Sequence, residues 1–156
     1  MVGNSLAKVI DVPGHTKGHV AYHFHEDCAL FCGDALFAMG CGRLFEGTAA
    51  QMWTSLQRLI ALPDETQVYC AHEYTESNGA FALALEPKNI ALQKRMDNVI
   101  TLRERGLPTI PTTIGIEKAT NPFLRTDSYE IRSTIDMASA DGISVFANIR
   151  KRKDNF

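Results

Sequence analysis

Three short apolar runs in this chain each lead into a small or turn-forming residue and then into a side chain able to bind a metal ion. Residues 9–12 run into Pro13-Gly14-His15-Thr16-Lys17-Gly18-His19, residues 29–32 into Gly33-Asp34, and residues 67–70 into Ala71-His72-Glu73-Tyr74. Strand ends on one sheet bring distant residues to a common edge. Neutral imidazole and carboxylate are ligands that suit zinc, iron or manganese. Singly, each residue has an ordinary reading: His15 as a surface histidine, Asp34 as a turn residue, His72 as a buried, hydrogen-bonded imidazole. Jointly, His15, Asp34 and His72 at three strand ends predict a metal-dependent hydrolase, although three ligands are few for such a site.

The chain has 156 residues, 45% hydrophobic and 22% charged, with a net charge of −2. That length suffices for a buried core, and the charge excludes a generally nucleic-acid-binding surface. No apolar run reaches the roughly 20 residues of a membrane helix, and the start has no signal-peptide pattern. Cys28, Cys32, Cys41 and Cys70 form no C-x2-C pair. They read as reduced thiols of a cytoplasmic protein rather than a zinc knuckle or a disulfide framework.

Alternation predicts strands over 6–12, 20–25 and 29–32, the last two forming a hairpin, with Val20, Tyr22 and Phe24 as the apolar side of the second. Gly33-Asp34 opens a long loop punctuated by Gly40, Gly42 and Gly47. Thr48 caps a helix to about 62 carrying Met52, Leu56, Leu59 and Ile60 on one face, and 67–70 is a further strand. The remainder reads as helical: 75–85, a helix opened by Pro87 and running to Gly106, 128–138 capped by Ser128, and 145–150. Residues 1–74 and 75–156 read as two packing units.

Other features carry weaker signals. His23 and His25 read as a solvent-facing strand surface. Gly40-Cys41-Gly42-Arg43 is a possible anion cradle without the Lys-Ser/Thr pair of a P-loop. Tyr74 reads as a cleft residue or as core. The basic run Arg150-Lys151-Arg152-Lys153-Asp154 reads as a solvated terminus or as a carboxylate- or phosphate-binding clamp.

The segments 12–19, 31–37, 40–48, 69–75 and 121–125, together with the ending 150–154, resemble the glyoxalase II family of the metallo-β-lactamase superfamily. The resemblance implies an α/β fold: the C-terminal half of an αββα sandwich over residues 1–74, followed by a helical glutathione-binding domain over 75–156. It implies hydrolysis of glutathione thiolesters, S-lactoylglutathione to lactate and glutathione in methylglyoxal detoxification, by a metal-activated hydroxide. By resemblance His15 and His72 are metal ligands, Asp34 is the bridging ligand and catalytic residue, and His19 supports them. Arg43, Phe45, Tyr74, Arg150 and Lys153 match glutathione-holding positions, with Phe45 standing where some relatives have a tyrosine.

The family's T-H-x-H-x-D-H motif, which supplies its remaining metal ligands, occurs nowhere in this chain. A full dinuclear centre is therefore not expected from this chain alone, and hydrolysis by this chain alone is expected to be impaired or absent. One sheet face is expected to lack its partner layer, which predicts self-association or pairing with an N-terminal half. The alternatives are a non-catalytic glutathione-binding or assembly module, and a mononuclear-iron sulfur dioxygenase of the same superfamily.

Overall fold

The first third of the chain folds as its alternation predicts, into β1 (Ala7–Asp11), β2 (Val20–Phe24) and β3 (Ala29–Gly33). The computed structural model describes residues 1–156. Two minimal strands, β4 (Leu36–Phe37) and β5 (Gly40–Cys41), form a small buried hairpin inside what reads as a long loop. Helix α1 (Ala49–Ile60) follows, then β6 (Gln67–Cys70), α2 (Thr75–Leu85), α3 (Ile90–Glu104), β7 (Thr112–Thr113), α4 (Ile114–Thr120), a 3-10 turn at Pro122–Leu124, α5 (Tyr129–Thr134) and α6 (Gly142–Asp154).

The five-stranded sheet has the order β1-β2-β3-β6-β7. β1 and β3 are each antiparallel to β2, and β6 is parallel to β3. Hence β1, β3 and β6 run the same way, and their C-terminal ends lie on one edge of the sheet. α1 is the crossover that a parallel β3–β6 pair requires. Thr48 starts it through a reciprocal capping box: its hydroxyl accepts from Gln51 N, and the Gln51 side chain accepts from Thr48 N. Met52, Leu56 and Leu59 are the fully buried apolar residues of its inner face.

That face packs on Ala21, Leu30, Cys32 and Val68 of the sheet and on Phe123, Phe146 and Ile149 of the helical region, in one continuous core. The core thus crosses the division at residue 74. A smaller cluster joins Met39 to Leu92, Met96 and Val99.

Several expectations are corrected. On β2 the buried side chains are Ala21 and His23, while Tyr22 is exposed. The alternation was correct but the apolar side lies away from the helices, so His23 is not solvent-facing. Burial, with His25 and Lys8 nearby, holds its imidazole below the usual value. The helix expected from Pro87 starts at Ile90, because the Asn89 side chain accepts from Leu92 N and caps it. α5 stops at Thr134, short of 138. α4 was not foreseen: Ile-Gly-Ile is a poor helix start, and the Thr113 cap supports it. α6 begins at Gly142 and runs through the basic run, so that run is no free terminus. Asp141 caps it through Ser144 N, and Lys151, Arg152 and Lys153 complement its C-terminal dipole. No helix is long and apolar enough to cross a membrane, and all four cysteines are free.

Candidate active site

The shared sheet edge brings together the three residues singled out by their strand-end positions. His72 Nε2 lies 3.2 Å from Asp34 Oδ1, and His15 Nε2 lies 3.9 Å from Asp34 Oδ2. Two imidazoles therefore face the two oxygens of one carboxylate. These contacts form two pairs sharing Asp34 rather than a closed group of three donors built around an ion.

Local structure orients each member. The His15 ring nitrogen Nδ1 lies 2.9 Å from the Arg43 carbonyl. A carbonyl only accepts, so Nδ1 donates to it and Nε2 is the ring nitrogen turned toward Asp34. The His19 Nε2 atom accepts from the Asp34 backbone N–H at 3.2 Å, which gives His19 a supporting role for the Asp34 backbone. Gly33, at φ +54°, makes this possible: a Cβ there would stand 2.8 Å from His19 Nε2. Gly42 has a similar reason, since a Cβ would strike the Asp34 carbonyl oxygen. The His72 ring stacks on Tyr74 with centroids 5.0 Å apart, and Phe45 covers His15 at 5.0 Å.

The segment between Asp34 and Arg43 is clamped by the helical region. Glu117, fully buried, accepts from Met39 N at 2.7 Å, Asn121 Nδ2 at 2.9 Å and the Thr112 hydroxyl at 2.8 Å. Asn121 also donates to the carbonyls of Phe37 and Gly40, and Asn78 donates to that of Ala38. Met39 is held at φ +54° inside this clamp. Burial pushes the Glu117 carboxyl up despite these donors.

The three residues open onto a cleft of 630 Å³ whose walls include Phe37, Arg43, Tyr74, Arg150, Lys153 and Asp154. Lys153 Nζ lies 5.4 and 5.2 Å from the ring centroids of Phe81 and Phe156 and donates to Ser77 O. Burial, then Arg150 and Arg43, lowers its pKa. Arg150 is buried, donating to Cys41 O and to Asp154. Burial raises the Cys41 thiol to about 12 despite Arg150, so it is no nucleophile at neutral pH. Every residue assigned to the site by resemblance thus borders this cleft or, for His19, buttresses it from behind. The sequence reading missed Asp154 as a partner within the basic run, although an Arg150–Asp154 spacing of four on a helix was a legible signal. It also missed Glu117, Asn121 and Asn78, for which no local pattern exists.

A family model described as hydroxyacylglutathione hydrolase C-terminus matches residues 73–156, and one described as metallo-beta-lactamase superfamily matches residues 1–72. A relative named hydroxyacylglutathione hydrolase, from Methylococcus capsulatus, is 56% identical over 99% of this chain and 60% of its own length. The chain thus spans about 60% of the length of the curated relatives it matches. Among solved structures, a metallo-beta-lactamase from Staphylococcus aureus superposes with a TM-score of 0.55 at 25% identity, over 98% of this chain and 40% of that one. The protein TTHA1623, in a di-iron-bound form, gives 0.51 at 30% identity over 76% and 42%.

Proposed function

Because this chain belongs to the hydroxyacylglutathione hydrolase family of the metallo-β-lactamase superfamily, we propose that its cleft serves hydrolysis of S-(2-hydroxyacyl)glutathione thiolesters, S-lactoylglutathione among them. The observation carrying this reading is the convergence of His15, Asp34 and His72 at the floor of a cleft walled by Arg43 and Lys153. The helical residues 75–156 then form the ligand-binding unit and 1–74 the metal-bearing one.

The donor types suit a metal ion, although their contacts share Asp34 without closing into a three-donor group. His15 turns Nε2 toward Asp34, and two imidazoles with one carboxylate suit zinc, iron or manganese. His15, Asp34 and His72 are the residues that would hold it. A bound ion of this kind supplies positive charge for a developing oxyanion and lowers the pKa of water. Asp34 would orient the attacking water, and the proton that this water loses would leave on the thiol of the departing glutathione. Arg43 and Lys153 bind carboxylates of the peptide part, Tyr74 borders its path, and Phe45 packs over His15 without the hydroxyl of some relatives. Arg150 supports this wall from beneath. Holding the thiolester here is an entropic contribution to rate.

A second reading, a glutathione-binding module without turnover, is favoured by one observation: the three donors do not close into an ion site. One experiment separates the two. Hydrolysis of S-lactoylglutathione is followed at the thiolester absorbance, with metal content measured on the same sample. Any turnover by this chain is expected to be metal-dependent and to fall by at least about 100-fold in Asp34→Ala. Turnover that survives this change overturns the assigned roles, and ligand binding with no turnover in the unaltered chain selects the binding module.

A further inference from the structure

The cleft wall built by α6 is less cationic than its sequence. Arg150 is only 5% exposed. Its Nη1 donates to Cys41 O at 2.8 Å, while Nε and Nη2 donate to Asp154 Oδ1 at 3.2 and 2.9 Å. Its guanidinium also lies 5.0 Å from the Phe123 ring centroid. All three nitrogens have partners inside the protein, so Arg150 is a support and not a free cation. The more exposed charges lining the cleft beside it are Arg43, Lys153 and Asp154. Asp154 Oδ1 also lies 3.7 Å from Arg43 Nε, so both guanidinium groups sit on the same oxygen. Oδ2 receives no hydrogen bond from the protein, and the side chain is 40% exposed on the cleft wall.

Two cations with one carboxylate among them complement a ligand bearing a carboxylate and an ammonium close together. We propose that Asp154 is a specificity-determining residue: its free Oδ2 accepts from a protonated α-amino group of the ligand, while Arg43 and Lys153 take carboxylate groups. The ligand class is a thiol-peptide conjugate with a free amino-acid end, preferred over its N-acylated analogue. Such a charge-assisted N–H···O contact is shorter and stronger than a neutral one. This inference rests on the glutathione-thiolester reading above and deepens it.

The test is calorimetric titration of the full chain with S-methylglutathione and with its N-acetyl derivative. The unaltered chain is expected to prefer the free amine by about tenfold, an exposed charged hydrogen bond being at the low end of its usual range. Asp154→Asn preserves shape and an oxygen for Arg150. It is expected to weaken S-methylglutathione by about tenfold and leave the N-acetyl ligand unchanged, abolishing the preference. Equal weakening of both ligands would make Asp154 only a prop for Arg150 and would overturn the proposal, as would an unchanged preference. Failure of the unaltered chain to bind either ligand overturns the glutathione reading itself, and is seen before any variant is made.

Discussion

Gly33 bears most directly on the candidate site among residues that touch no ligand. It occupies the left-handed region and leaves the space that the His19 ring fills behind Asp34. In Gly33→Ala the left-handed backbone costs about 1–2 kcal/mol, and the methyl group must also displace His19. The expected loss is about 2–3 kcal/mol in urea denaturation, with weakened metal retention from a displaced Asp34. Gly18→Ala is the control. Nothing lies within 4 Å of a Cβ there, its φ is ordinary, and the expected change is within about 0.5 kcal/mol. That Gly33-Asp34 forms a turn was legible. That the turn needs glycine because of a histidine just ahead of β2 was not, since the clash exists only once β2 lies against β3.

At the scale of elements, the helical region is joined through Glu86 at the end of α2. Its buried carboxylate accepts from Arg125 Nε and Nη2 at 2.9 and 2.8 Å, from the Ser128 hydroxyl that starts α5, and from Asn89, which caps α3. Burial raises its pKa, but the hydrogen bonds from Arg125, Ser128 and Asn89 outweigh burial and the net shift is downward. A carboxylate with a depressed folded pKa stabilises the fold above its unfolded value and loses that contribution as pH falls through the folded one. Stability is therefore expected to decline as pH drops below about 4.5, the ordinary glutamate value. Glu86→Gln is expected to cost about 2 kcal/mol at pH 7 and to flatten this acid limb. Denaturant melts at pH 7 and below pH 4.5 measure both; an equally steep limb in the variant would remove Glu86 as its source. The helices themselves were partly legible from their caps, but a glutamate facing three of them has no signature along the chain.

At the scale of the whole molecule, the sheet has one covered face and one open face. Val9, Tyr22 and Phe31 are in cross-strand register on the open side, each roughly half exposed, and Tyr69 stacks on Phe31 with centroids 4.9 Å apart. Contiguous exposed apolar surface of this kind favours association. The chain is expected to scatter light as a species larger than a monomer, and Phe31→Lys is expected to shift it toward monomer with little change in thermal stability. A parent chain that remains a monomer at all concentrations tested would leave this face without an associating role.

The residues alone determined the candidate ligands. Imidazole and carboxylate have few alternatives as metal donors, and strand ends marked by Gly and Ala identify where a sheet presents them. Alternation likewise defined the strands, and capping residues such as Thr48 and Ser128 defined helix starts, because both are local properties of neighbouring side chains. Tertiary structure decided which face of β2 is buried, since a period of two names two faces without saying which one a helix covers. It also decided that Arg150 is spent on Cys41 and Asp154, leaving Asp154 to face the cleft. Charge along a chain is additive, whereas charge on a surface depends on which groups neutralise one another first, and that pairing exists only after α6 packs against β5.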